Sequence, residues 1–513
     1  MGVKLYKQVA ELTKKAAIKV ATYYANVACP FITYQPTEYR KKRVMINFMK
    51  KNKILPIMLV VLLAITGCSR NYEIDESTET ISFEDYNYDN NNAQLQCVGN
   101  SAISESGYYL VINGLLYYYD ISTDFCSPCC YNANCNHSDE KCAAYLNDIT
   151  YKGLKKDKVE ECYGDTVFYY DNKIYMVENN KHEEYYLNQY NVRFGDRTRV
   201  AIIADNNNKD ITTYLRNSHA FKIKDGYLYY VSYSFDPKNV KPNELVKVTN
   251  NCMRIKLADN AKPEKLGEFE ALPCGSGLGE PDGFKILFDS NNVYYISGGE
   301  ESRLIETSDY KIARYNTDNG DFKVIFEYSG DDGAGAFGSG TPAPDTINEN
   351  CCMDKESNLY FISQDRNQII QYSVSNKTSK CFYASVNTIN SIAMDGEQLF
   401  ISEYAQSGGE SRIVVSNLAG EVIQNIKLEW DSDYINQLKS HNQDMTNTII
   451  RVNFMCVDDR YIVLTTKDPG LKELNGNDLN NMSGVSTVGT AVVKKSDILD
   501  GKITDIKQIY RAK

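Results

Sequence analysis

A chain of 513 residues with 56 Lys and Arg against 67 Asp and Glu carries a formal net charge of −11. That length is ample for a hydrophobic core. An acidic balance argues against nucleic acid, whose phosphates want a basic face. The charge changes sign along the chain: residues 1–67 hold 12 Lys and Arg against 2 Asp and Glu, and the remainder is acidic by −21. A basic front suits the cytoplasmic leaflet, and an acidic body suits a soluble module held near a cell surface.

In residues 1–44, Val9, Leu12, Ala16 and Val20 recur at helical spacing, with Lys7, Lys14, Lys15 and Lys19 mostly elsewhere. This predicts a short, basic amphipathic helix of the interfacial kind. Next comes the run Ala25-Asn26-Val27-Ala28-Cys29-Pro30-Phe31-Ile32-Thr33-Tyr34-Gln35-Pro36. Residues 1–42 resemble the precursors of cyclic-lactone autoinducer peptides, the agr-type quorum-sensing pheromones. The resemblance implies a thiolactone ring of Cys29, Pro30, Phe31, Ile32 and Thr33, with the Cys29 thiol closed on the Thr33 carboxyl. The tail departs from that pattern: Glu38 stands alone before Arg40, Lys41, Lys42 and Arg43. Two readings stay open, a pheromone segment fused to a lipoprotein, or a translation start at Met45 or Met49 rather than Met1.

Residues 45–67 have the layout of a secretory signal. Lys50, Lys51 and Lys53 precede an apolar run from Ile54 to Ile65, which ends on Thr66-Gly67-Cys68. The run is short for a permanent bilayer span. A small residue before a Cys, at the end of such a run, resembles the lipobox of bacterial lipoproteins. It implies cleavage between Gly67 and Cys68, a diacylglycerol on the Cys68 thiol, and a body tethered to the outer face of the cell membrane. Residues 68–93 are acidic and Asn-rich with few apolar side chains, which predicts a disordered tether.

Residues 94–513 repeat one theme: a short strand, a turn of Asp, Asn or Gly, and an aromatic strand. Seven instances occur, at Gly107–Ile121, Thr166–Asn179, Ala220–Tyr233, Lys285–Gly299, Asn350–Gln364, Asn390–Tyr404 and Asn453–Lys467. Asn172-Lys173, Asp225-Gly226 and Asp395-Gly396 read as hairpin turns, since these residues accept positive φ. Further strand pairs start at Ile312, Ile369 and Ile413. Tyr, at 40 residues against 18 Phe and 1 Trp, suits half-exposed sheet faces. Tyr-rich sheets can also hold sugars, a reading that the lone Trp430 weakens.

A spacing of about 40 to 66 residues between aromatic strands is that of four-stranded propeller blades. The fold class expected is all-β, a propeller of about seven blades, mostly of four antiparallel strands. The final strand, Lys502 to Ile509, is expected to pair with the first blade and lock the ring. The pattern resembles the low-density-lipoprotein-receptor-like, or DUF5050-like, propellers of Gram-positive bacterial lipoproteins.

One cluster carries candidate chemistry. Cys126, Cys129, Cys130, Cys135, His137 and Cys142 fall within seventeen residues. The subset from Cys130 to Cys142 is a Cys3His set of the zinc type, and it resembles a signature of the same lipoproteins. Export to an oxidising compartment equally allows local disulfides, with Cys162 as a further partner. Elsewhere, Gly333 to Gly338 fits a dinucleotide-loop pattern, but Pro342 and Pro344 follow where a helix is needed. Asp205 to Asp210 lacks the Gly and distal Glu of a calcium loop. A helix is expected at 431–443. Without a catalytic motif, the chain reads as a monomeric, non-enzymatic, lipid-anchored module for a protein or glycan ligand. A glycan-active surface enzyme is the alternative.

Overall fold

In the computed structural model the described residues fall between Ser101 and Tyr510, with the wider gaps at 147–162, 331–350, 431–449 and 468–487. They belong to the unit that runs from Tyr86 to Lys513. The leader, lipobox and tether, Cys162, the helix expected at 431–443, the Gly333 loop and the Asp205 loop lie outside the described residues. No helix among the described residues is long and apolar enough to cross a membrane.

Seven antiparallel sheets of four or five strands succeed one another along the chain, each with its four main strands in sequence order, and a two-stranded pair of Leu245–Val246 with Cys274–Gly275 stands apart from them. Blade 1 is Ser101–Ile103, Gly107–Ile112, Leu115–Asp120 and Phe125–Pro128. Blade 2 is Tyr163–Tyr170, Lys173–Asn179, Tyr185–Tyr190 and Arg197–Ala204. Blade 3 is Phe221–Lys224, Tyr227–Phe235, Thr249–Lys256 and Glu264–Glu270, with Thr212–Leu215 added along the second strand. Blade 4 is Gly283–Phe288, Asn292–Glu300, Ser308–Asn316 and Phe322–Gly330. Blade 5 is Cys351–Met353, Asn358–Ile362, Gln368–Ser373 and Thr378–Ala384. Blade 6 is Thr388–Met394, Gln398–Tyr404, Ser411–Asn417 and Val422–Trp430. Blade 7 is Val452–Val457, Tyr461–Lys467, Val488–Lys494 and Gln508–Tyr510.

The side chains of these segments make them blades. Alternation along a strand gives each sheet two apolar faces, and a lone four-stranded sheet leaves both in water. Burying one large apolar side chain contributes on the order of 1.5–3 kcal/mol, so the faces must find partners. They do so in sequence. The buried apolar side chains divide into seven clusters, and each straddles one pair of neighbouring blades. The last of these joins Tyr108 and Leu110 of blade 1 to Met455, Cys456 and Val463 of blade 7. Seven seams between seven sheets make a closed ring, the seven-bladed propeller that the repeats predict.

Short turns between first and second strands are built on Asp. In blades 2 and 3, Asp171-Asn172 and Asp225-Gly226 all take positive φ, between 50° and 75°. The tight pair in blade 2 is therefore Asp171-Asn172, one residue earlier than the sequence suggests, because Lys173 already pairs with Tyr170. In blades 4 to 7 the turn opens on Asp289, Asp354, Asp395 or Asp458, whose Oδ1 accepts two backbone N–H groups of the same turn. The second oxygen is then free to hold something else. Asp289 Oδ2 accepts Ser357 Oγ of blade 5 at 2.9 Å. Asp395 takes Lys495, just past the third strand of blade 7. Asp458 takes the Tyr108 hydroxyl of blade 1 at 2.6 Å.

The close of the ring differs from expectation. Asp505–Ile506 lies parallel to Glu429 and Trp430 of blade 6. Gln508–Tyr510 is the outer strand of blade 7, on Thr490 and Ala491. Among the described residues no strand from the C-terminal end enters blade 1, whose four strands all lie between Ser101 and Pro128. The seam between blades 7 and 1 is held by side chains instead. Besides the Tyr108–Asp458 bond, Arg460 donates to the backbone carbonyls of Ser104 and Glu105.

The antiparallel order also sorts the connections. Turns between first and second strands, and between third and fourth, share one rim, as the bonds from Thr317 N to Asn291 O and from Leu257 N to Gly226 O show. The other rim receives the second-to-third connections and the links between blades. There Ser385 N bonds to Asn367 O and Ile389 N to Arg366 O. Nearly all the longer connections leave from this second rim: 129–162, 205–220, 236–248, 271–282, 331–350, 431–451 and 468–487.

Candidate metal centre

The Cys/His segment occupies the link from the outer strand of blade 1 to the first strand of blade 2, on the long-connection rim. Its local geometry starts from Asn132, whose side-chain oxygen accepts Asn134 N at 3.1 Å and whose carbonyl accepts Cys135 N at 2.9 Å. This Asx turn reverses the chain. His137 then takes a left-handed φ of 55°, an uncommon conformation for a residue with a Cβ. Its backbone N–H points at Cys135 Sγ, 3.4 Å away, and its Nδ1 lies 3.2 Å from Cys142 Sγ.

Cys130, Cys135, His137 and Cys142 converge so that one ligand atom from each lies within 4.8 Å of all the others. A zinc tetrahedron with bonds of about 2.3 Å to sulfur has sulfur–sulfur edges of about 3.8 Å. The four donors thus need to close in by no more than about 1 Å. Three thiols and an imidazole are the donor set for a thiophilic divalent ion, and the group can hold a metal. Cys142 is almost wholly buried and the other three are partly so. Burial, against an opposing hydrogen bond from the Ala144 amide and helped by the Cys135 and Cys130 sulfurs, pushes the Cys142 thiol up to about 12. Three neighbouring sulfurs cannot all ionise without a cation among them.

The structure divides the six predicted residues. Cys126 sits on the outer strand of blade 1 opposite Tyr119 and packs against the seam with blade 7. Cys129 is buried in the seam with blade 2. Burial pushes the Cys126 thiol up to about 12 and the Cys129 thiol also upward, as expected of inert apolar thiols. Cys126, Cys129, Cys135 and Cys142 form no disulfide with another described cysteine. Two residues outside the motif complete the surroundings. Tyr190 of blade 2 donates its hydroxyl to Cys129 O at 2.9 Å, and Leu116 of blade 1 bonds to both ends of the segment. No spacing rule marks either, because both reach the cluster through the tertiary fold.

No family model matches the chain, and no curated protein matches it by sequence. Solved structures match in shape. A prolyl endopeptidase is 10% identical over 82% of this chain and 51% of its own, with a TM-score of 0.44. A puromycin hydrolase is 9% identical over 82% and 55%, with a TM-score of 0.44. TolB from Acinetobacter baumannii is 9% identical over 62% and 59%, with a TM-score of 0.29. The chain spans about half the length of the two peptidases. The seven successive sheets and their seven seams define the class of protein, the seven-bladed β-propeller, and likenesses this distant add nothing to it.

Proposed function

We propose that this propeller is a lipid-anchored binding module on the outer face of a bacterial cell membrane, cleaved after Gly67 and held through a diacylglycerol on Cys68. It acts as a monomer and without catalysis, and its ligand is a protein or a glycan that lies across the long-connection rim. The observation that carries the reading is the segregation of the connections: six of the seven first turns on one rim open on Asp, and nearly all the longer connections leave from the other, from every blade except blade 5. Loops raised on a rigid scaffold are where recognition usually sits. Three thiols and one imidazole make zinc the metal of the Cys/His cluster. Residues 25–36 support a second product, a cyclic-lactone pheromone closed between Cys29 and Thr33.

Intact-mass analysis of the membrane fraction reads the anchor directly: a chain beginning at Cys68 and carrying lipid is expected, and a retained apolar leader overturns it. The rim is tested by a photo-crosslinking amino acid placed in the anchored protein on living cells. Val386 and Asp365 are exposed positions on the long rim, and Asn376 and Asn319 are exposed on the short one. Adducts, or glycan-array signal blocked by the label, are expected from the first pair only. Equal signal from both rims, or from neither, overturns the reading.

A further inference from the structure

We infer that the metal in the Cys130–Cys135–His137–Cys142 centre is a structural clasp that completes the outer edge of blade 1 and seals its seam with blade 2. This inference rests on the zinc assignment above. The outer strand of blade 1, Phe125–Pro128, is four residues long and pairs only with Tyr117–Asp120. The first two residues of the third strand, Leu115 and Leu116, therefore lie beyond its reach. Their backbone groups are met by the Cys/His segment. Leu116 O accepts Cys129 N, Leu116 N donates to Ala144 O, and Leu115 forms a bridge with Tyr145. The segment continues the edge strand with two pieces of chain, one just before Cys130 and one just after Cys142. The four ligands tie those two pieces together.

The same segment is a lid on the core. Ala144 and Leu146 are wholly buried, and they pack with Val167, Ile174 and Met176 of blade 2. Tyr190 of blade 2 reaches the carbonyl of Cys129, one residue before the first ligand. An irregular loop that caps a seam must offset the entropy of being ordered. A four-coordinate ion removes most of that freedom in one step, and its binding energy becomes folding energy. Four protein donors leave zinc no open position, which is the mark of a structural site. His137 supports this, since its left-handed backbone serves to turn the imidazole onto Cys142.

The test uses the full-length protein in detergent. Elemental analysis should find one zinc per chain, and a chromogenic chelator should release it. Hydrogen exchange is then read with and without the metal. Removal is expected to speed exchange at Leu116, Cys129 and Tyr145 by at least about tenfold, with blades 4 to 6 unchanged. His137→Ala and Cys142→Ser should lose the zinc, and Cys126→Ser, outside the set, should keep it. Cobalt(II) substitution should give the visible absorption of a tetrahedral thiolate site. A protein that holds no zinc, or whose cluster is disulfide-bonded by mass, overturns the metal assignment itself. A protein that holds zinc but shows unchanged exchange at Leu116 and Tyr145 on its removal overturns the clasp alone.

Discussion

Tyr108→Phe should loosen one seam of the ring and leave the others intact. The Tyr108 ring is fully buried between blades 1 and 7, and its hydroxyl donates to Asp458 Oδ2 at 2.6 Å. Burial, then the nearby Asp458 carboxylate, raises the phenol far above its usual range, so the bond is that of a neutral donor to a charged acceptor. Such bonds are worth about 1.5–3 kcal/mol. In the variant Asp458 Oδ2 keeps two guanidinium donors, Arg460 Nη2 at 2.9 Å and Nε at 3.2 Å, and is not stranded. The loss should therefore lie at the low end, about 1.5–2 kcal/mol. Hydrogen exchange reads it locally, as faster opening of Ser101–Ile103 and Val452–Val457. Tyr360→Phe is the control, since Tyr360 donates to Asp354 at 2.8 Å within one blade. It should cost a similar amount without opening any seam. A double-mutant cycle with Asp458→Asn should return a coupling of at least about 1 kcal/mol. A loss below about 0.5 kcal/mol, or seam opening in the control as large as in the variant, refutes the assignment of ring closure to this bond.

Asp289 titrates below the usual carboxylate range: burial alone would raise it, but bonds from Tyr294, Asn292, Ser357 and the Asn291 amide outweigh that. A depressed folded value means stability that is fully present above about pH 4, the unfolded value, and is lost as pH falls through the folded one; Asp289→Asn should flatten that part of the acid-unfolding curve. Gly107→Ala should destabilise blade 1 by about 2–3 kcal/mol, because a Cβ there would collide with the Tyr119 carbonyl; a folded variant with an unchanged denaturation midpoint would rule this out. Tyr190→Phe should cost about 1 kcal/mol at the seam of blades 1 and 2 while the chain keeps its zinc, which thermal melting and elemental analysis read separately.

The blades were legible because each is announced locally. A hairpin needs an alternating pattern on both sides of a turn that tolerates positive φ, and all three signals lie within about fifteen residues. All seven aromatic hairpins mark blades. What failed to show were pairings decided at a distance. In blade 1 the visible hairpin is that of the second and third strands, and the three-residue Ser101–Ile103 before it carries no aromatic signal. Gln508–Tyr510 is equally short, and only the packed ring assigns it to blade 7. In the cysteine segment the donor types were plain, but their partition was not. Phe125 is exposed and Cys126 turns inward because strand neighbours face opposite ways. Cys129 and Cys130 are adjacent, yet the first is buried in the seam and the second joins the cluster. The Asp that opens six of the seven first turns was in view throughout, yet at Asp289, Asp395 and Asp458 the second oxygen finds its interblade partner only in three dimensions.

Blade 1 is where these observations meet. It has a three-residue first strand, a four-residue outer strand, and a first turn that opens on Ser104 rather than Asp. Ser104 meets the local need, accepting Gly107 N at 3.1 Å, but it has no second oxygen to extend to a neighbour. The seam with blade 7 keeps its interblade bonds, because Asp458 and Arg460 reach forward to blade 1 as Asp289 and Asp395 reach forward from blades 4 and 6. At the opposite seam the short outer strand leaves Leu115 and Leu116 to be covered by the Cys/His segment. Both reinforcements flank the one blade least able to hold its place by sheet pairing, and they act on different faces of it. Removing the metal in a Tyr108→Phe background should therefore release blade 1 as a unit, with protection lost together across Gly107–Ile112 and Leu115–Asp120. Loss that begins instead in blades 3 to 5 would show that ring stability is set elsewhere.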